Sequence, residues 1–173
     1  MVNKRLEVME AVWLFDMSIE QIQVLVHPQS IIHSMVEYID GSIIAQMGMP
    51  DMKLPIQYAL LYPDRERLES GKKLDFLKVR QLTFEEPDME TFYGLRLGIE
   101  AGRIGGSMPT VYNAANEWAV AAFLQGKIGF TDIAAIIEAS MSQHRPIANP
   151  TLEQILNTEQ ETYDFIKGYT RSA

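Results

Sequence analysis

Ile31-Ile32-His33-Ser34-Met35-Val36-Glu37-Tyr38-Ile39, then Asp40-Gly41, then Ser42-Ile43-Ile44-Ala45-Gln46-Met47 is the stretch whose reading decides the fold. Two β-prone runs flank an Asp-Gly pair, the strongest short-range hairpin signal, because a type I′ turn needs positive φ at both central residues. On the first arm Ile31, His33, Met35, Glu37 and Ile39 share one face, and Ile32, Ser34, Val36 and Tyr38 share the other. Neither face is purely polar, so both are expected to be partly covered by a helix, a lid or another subunit.

Toward the carboxy terminus, Gly48-Met49-Pro50-Asp51-Met52 reads as a loop, and Lys53 to Leu61 as a short amphipathic stretch broken by Pro55. From Tyr62 to Pro87 the chain is charged and weakly patterned, with Leu74 to Phe84 an extended arm. After Asp88 the spacing turns helical. Helices are predicted over Thr91–Gly102, Pro109–Gln125, Thr131–Gln143, and from the Thr151-Leu152-Glu153-Gln154 capping box to Lys167, with Gly168 as its stop. Four such helices with short connections make a small bundle. Gly94, Gly98 and Gly102 recur every fourth residue and place a groove for a neighbour on the first of them. Asn113, Asn116 and Glu117 interrupt the apolar second helix; they either bond loop backbone or serve a ligand.

Toward the amino terminus, Val24-Leu25-Val26 is a short strand candidate stopped by His27-Pro28, and Ser18 to Gln21 is a capping box. Asn3 to Phe15 has a helical apolar face of Leu6, Val8, Met9, Val12 and Trp13, but no N-cap precedes it. A pattern that opens midway is expected to continue an element begun upstream. The fold class is α+β: a small hairpin sheet with helices, a connecting arm, then a four-helix bundle.

Composition narrows the chemistry. With 173 residues, 47% hydrophobic and 22% charged, the chain can bury a core, and its reading is soluble, globular and cytoplasmic. No cysteine occurs, so thiolate zinc sites and cysteine nucleophiles are excluded. A net charge of −8 argues against a nucleic-acid surface, which needs an excess of cations. No apolar run approaches the ~20 residues of a membrane span. No Walker loop and no G-x-G-x-x-G occurs.

Two side-chain sets could carry chemistry. On a helix, Asn3, Lys4 and Glu7 stack on one side. An amide, an ammonium and a carboxylate there could hold a phosphate and reach a metal; equally, they could be a solvated first turn with a weak ion pair. His27 and His33, six apart, could ligate zinc, or each could be a hydrogen-bonded structural histidine.

Asn3-Lys4-Arg5-Leu6-Glu7-Val8-Met9-Glu10-Ala11 with Trp13-Leu14-Phe15, His27-Pro28-Gln29-Ser30-Ile31-Ile32-His33-Ser34-Met35-Val36, Pro50-Asp51-Met52, Asn113-Ala114-Ala115-Asn116-Glu117 and Phe130-Thr131-Asp132-Ile133-Ala134-Ala135 together resemble the 1-deoxy-D-xylulose 5-phosphate reductoisomerase family. The resemblance covers the whole chain in unbroken order. It implies an NADPH-dependent oxidoreductase and isomerase of the non-mevalonate isoprenoid pathway, forming 2-C-methyl-D-erythritol 4-phosphate with Mg²⁺ or Mn²⁺. By the family motif Asn3 and Lys4 grip the substrate phosphate, Glu7 binds metal and meets substrate, and His33 and Met52 line the site. Segment 1–61 would be the later half of the catalytic domain, 62–87 the connecting arm and 88–173 the bundle.

The resemblance further implies a homodimer through the sheet region. It leaves the NADPH-binding domain, two metal carboxylates, the phosphate-sharing serines and a lid outside this chain, and no cofactor-binding residue inside it. Arg5 stands where the family usually has Gly. The chain alone is therefore expected to lack reductoisomerase activity. The competing readings are a non-catalytic scaffold or dimerisation module derived from that enzyme, and an isolated phosphate-binding domain.

Overall fold

The computed structural model describes residues 2–172; the side chains of residues 2, 3, 5, 171 and 172 lie outside that description. Two compact units result, one from 1–24 with 87–173 and the other from 25–86.

The helical unit contains α1 (Val2–Phe15), a 3-10 turn (Ile19–Gln21), α4 (Tyr93–Ile104), α5 (Met108–Leu124), α6 (Asp132–Gln143) and α7 (Leu152–Ser172). Helix α5 is its centre: Met108, Val111, Tyr112, Ala114, Ala115, Ala119 and Ala122 are all buried, so the helix is covered on several sides by α4, α6 and α7. Its alanines keep neighbouring axes close. Around them close Leu97, Ala101, Ile133, Ile136, Ile137 and Ile166. The Tyr112 hydroxyl, buried with its ring, donates to the Gly94 carbonyl at 3.2 Å.

Helix ends follow the expected signals closely. Pro109 stands in the first turn of α5, and at its far end the Gly126 and Lys127 amides donate to the Phe123 and Ala122 carbonyls. Thr151 and Gln154 form the predicted reciprocal cap, Thr151 N–H to Gln154 Oε1 at 2.8 Å and Gln154 N–H to Thr151 Oγ at 3.3 Å. Gly168 does not stop α7, which runs on to Ser172. A helical glycine costs only about 1 kcal/mol relative to alanine. Buried Ile166 and the Thr170 hydroxyl, bonded to the Ile166 carbonyl at 2.9 Å, hold the last turns.

The glycine groove of α4 receives the amino-terminal segment. A methyl added at Gly102 would meet Ile19 Cδ1 at 2.8 Å and Met9 Cγ at 3.6 Å. Val8 and Met9, at 4% and 7% exposure, are the inner face of α1, and Met9 joins the bundle core. Arg103 Nε reaches Glu20 Oε1 at 3.4 Å. Helix α1 thus packs on the bundle.

The second unit contains β1 (Ile32–Glu37), β2 (Ile43–Met47), α2 (Lys53–Leu61) and the single-turn α3 (Phe76–Val79). The strands pair antiparallel, Glu37 opposite Ile43 and Ile32 opposite Met47. The connection is longer than a type I′ turn. Tyr38 N–H donates to Ser42 C=O and Gly41 N–H to Tyr38 C=O, both at 2.9 Å, leaving Ile39, Asp40 and Gly41 as a three-residue loop. Only Gly41 of the Asp-Gly pair has positive φ, +82°, as the third residue of such a loop requires.

Three other local expectations shift. Pro55 does not break Lys53–Leu61, because it falls in the first turn, where its missing N–H has no helical partner anyway. Within the extended arm, Asp75 Oδ1 accepts the Leu77 N–H at 3.1 Å and starts α3. Of Val24 to Val26, only Val26 pairs, through two 2.9 Å bonds with Glu85.

The hairpin faces are open among the described residues. Met35, Val36, Tyr38, Ile39, Ile43 and Ile44 are all exposed, and Ile31 is the one buried apolar side chain of 25–86. The expected cover for both faces is not made by this unit.

Candidate functional site

Helix α1 presents two faces with different fates. Val8 and Met9 turn into the bundle, while Lys4 and Glu7, one turn apart, stand half-exposed on its outer side. Lys4 Nζ donates to Glu7 Oε2 at 2.5 Å. The i, i+3 spacing made this contact legible in the sequence. Asn3 lies in the same helix, with its side chain outside the described residues. A cation and a carboxylate are therefore adjacent on a helix whose opposite face is anchored. That arrangement can offer an ammonium to an anion and a hard oxygen to a cation at once.

In the hairpin unit, His33 is the bulged residue. Ile32 pairs with Met47 and Ser34 with Gln46, so His33 is the extra residue of β1 between them. A bulge re-aims one side chain and is common beside functional sites. His33 is exposed, as is Met52, which stands at the start of α2 with 70% of its surface free. Asp51 Oδ1 accepts the Lys53 N–H at 3.0 Å and fixes that loop.

The first histidine has a structural role. His27 Nδ1 donates to the Thr83 carbonyl at 2.8 Å, and its ring stacks on Phe84 with centroids 4.9 Å apart. Gln29 clasps the same residue: its Nε2 donates to Thr83 Oγ at 2.8 Å, and its Oε1 accepts the Thr83 N–H at 3.1 Å. The structural alternative is the one realised for His27. It ties the His27-Pro28-Gln29-Ser30 loop, just before the His33 strand, to Thr83. At the hairpin tip, the Asp40 carboxyl is held below its ordinary pKa chiefly by the Ser42 hydroxyl, then by the Ser42 amide.

Among the described residues no group of three His, Asp or Glu side chains could hold a metal ion. Glu7 alone does not fit Mg²⁺, which demands near-octahedral oxygen coordination. No helix among them is long and apolar enough to cross a membrane. Asn116 is buried with its side-chain carbonyl unpartnered, and Asn113 Nδ2 reaches Glu117 Oε1 at 3.4 Å on the same helix. Neither pattern is the bonding to loop backbone expected for these polar residues.

One feature escaped sequence reading altogether. Ser107, wholly buried before α5, meets His144 across 37 residues, with Oγ 2.7 Å from Nε2. No local spacing announces it.

The 1-deoxy-D-xylulose 5-phosphate reductoisomerase of Agathobacter rectalis is 59% identical over 166 residues, covering 96% of this chain and 43% of that protein. That of Thermoanaerobacter pseudethanolicus is 57% identical over 172 residues, 99% of this chain and 45% of its own length. Among solved structures, the reductoisomerase of Zymomonas mobilis in complex with NADPH matches with a TM-score of 0.91 and 47% identity. It covers all of this chain and 46% of its own. A reductoisomerase in complex with NADPH, fosmidomycin and magnesium matches with a TM-score of 0.91 and 40% identity, over 99% of this chain and 44% of its own. The chain thus spans less than half the length of the relatives it matches. The family model described as the DXP reductoisomerase C-terminal domain matches residues 47–165, and the chain belongs to that family.

Proposed function

We propose that this chain forms the substrate-facing carboxy-terminal part of an NADPH-dependent reductoisomerase that converts 1-deoxy-D-xylulose 5-phosphate to 2-C-methyl-D-erythritol 4-phosphate in non-mevalonate isoprenoid biosynthesis. The observation that carries the reading is the side-by-side Lys4 ammonium and Glu7 carboxylate on bundle-anchored α1. They lie in a chain 47% identical to a reductoisomerase solved with NADPH and 40% identical to one solved with NADPH, fosmidomycin and magnesium, over nearly its whole length.

Lys4 would bind the phosphate end of the substrate, with Asn3 beside it. Glu7 would give one oxygen to a divalent metal, Mg²⁺ or Mn²⁺, whose remaining ligands come from outside this chain. Such a metal, when bound, supplies charge stabilisation at the substrate oxygens. Without ligand, Lys4 and Glu7 neutralise one another. When an anion and a cation arrive together, each exchanges its partner for an external one, and net charge is conserved. Separating a half-exposed pair costs little, within about 1 kcal/mol, so the pair does not oppose binding. Met52 would supply soft apolar contact to the substrate and His33 a ring nitrogen, as the family resemblance implies. In this reading 1–61 serves catalysis, 62–87 connects, and 88–173 is the bundle that carries α1.

A homodimer through the sheet is part of the same proposal: Val36, Ile43 and Ile44 are more than half exposed on paired strands and suit an apolar partner surface. A cytoplasmic location fits the absence of cysteine. The test is NADPH oxidation with the sugar phosphate and Mg²⁺. The chain alone is expected to give none, and a chimera in which it replaces the matching stretch of the Agathobacter rectalis protein is expected to be active. An inactive but folded chimera would overturn the reading.

A further inference from the structure

Two connections of the helical unit are joined by one serine. Ser107 N–H donates to the Ile147 carbonyl at 3.0 Å, and Ile147 N–H donates back to Ser107 Oγ at 2.9 Å. The approach is so close that a methyl at Gly106, whose φ is +57°, would fall 2.1 Å from the Ile147 oxygen. The serine oxygen is therefore already an acceptor. Its own proton is left for His144 Nε2, 2.7 Å away, and Ser107 has no exposure to water that could take it instead. This inventory requires a neutral imidazole with its proton on Nδ1.

We propose that Ser107, His144 and Ile147 form an acid-released latch, which holds the connection between α6 and α7 onto the corner between α4 and α5 while His144 is neutral. Protonation turns Nε2 into a donor facing a hydroxyl proton that then has no acceptor in a buried place. The latch loosens, and the segment from His144 to Pro150 is freed. The cavity of about 470 Å³ beside it is lined by Gln143, Gln154, Asn157 and Thr158 together with two charged side chains, Glu161 on α7 and Arg145 next to the histidine. Burial pushes the His144 imidazole below its ordinary pKa, and Glu161 offsets part of that. The sign follows. The latch is complete above the ordinary histidine pKa, and stability falls as pH drops below it, because the unfolded chain then binds the proton more readily.

The experiment is a nuclear magnetic resonance titration of the chain between about pH 5 and 8, with His144→Gln beside it. Glutamine keeps an acceptor near the Nε2 position and cannot titrate. In the wild type, His144 is expected to be the Nδ1–H tautomer at neutral pH, to titrate below the ordinary histidine range, and to move the Ile147 amide resonance with the same midpoint. In H144Q the Ile147 resonance is expected to stay flat. An Nε2–H tautomer at neutral pH, or an Ile147 resonance that ignores the His144 titration, overturns the latch. If H144Q does not fold, the wild-type tautomer and the Ile147 shift decide alone.

Discussion

The helical unit and the hairpin unit spend their apolar residues in opposite ways. In the first, Tyr112, Ile137 and Ile166 are sealed from water and several helices share one core. In the second, Ile31 alone is buried, and Ile43, Ile44 and Val36 lie open on both faces of two strands. A lone two-stranded hairpin is marginal in water, so 25–86 rests more heavily on polar ties, the Gln29–Thr83 clasp and the Val26–Glu85 pair. A dense core gives rigidity to whatever stands on it. Open apolar strands are surface ready for a partner. Under the proposed function, α1 takes the first role and the sheet the second.

The sharpest way to break this contrast is a pair of truncations. Ile137→Ala is expected to cost about 2–5 kcal/mol in chemical denaturation, because it opens a cavity in a closed core. Ile44→Ala, on an exposed strand, is expected to stay within about 0.5 kcal/mol. Equal losses would mean that the sheet is as well packed as the bundle. Next in size, Gln29→Ala should remove the side-chain hydrogen bonds to Thr83 and cost about 1–2 kcal/mol. Amide exchange should rise across 25–86 and stay unchanged in α5 and α6. A uniform rise would join the two units into one cooperative block.

A smaller effect sharpens the hairpin side. Asp40 has a lowered carboxyl pKa, mainly through the Ser42 hydroxyl. Its contribution is present above the ordinary aspartate pKa and fades as pH falls through the lowered value. Amide protection at Ser42 and Gly41 should therefore decline in acid, and Asp40→Ala should abolish that dependence. The smallest effect belongs to Lys4→Met: a half-exposed ion pair contributes little, so the midpoint of unfolding should move by less than about 1 kcal/mol. A larger drop would give the pair a structural rather than a binding role.

Much of this was legible because the signals are local. Pro109 and Gly126 bracket α5, Thr151 and Gln154 open α7, and Asp40-Gly41 marks the hairpin. The turn type escaped because Asp-Gly serves a three-residue loop as readily as a two-residue one. Gly168 misled because burial of Ile166 outweighs one glycine. Lys4 and Glu7 were found by spacing, since one helical turn sets their contact. The bulge at His33 needed the partner strand, and the Ser107–His144 contact needed the fold, because nothing in either neighbourhood encodes a bond across 37 residues.

Under the proposed function, the Lys4–Glu7 face of α1 is one wall of the substrate site. The most direct test is NADPH oxidation by the Agathobacter rectalis chimera carrying Glu7→Gln, with Mg²⁺ varied, against the unsubstituted chimera. Loss of a metal-binding carboxylate should lower the rate by about 100-fold or more and raise the Mg²⁺ requirement, with stability unchanged. A Glu7→Gln chimera that turns over at the parent rate with the parent Mg²⁺ dependence would contradict the account.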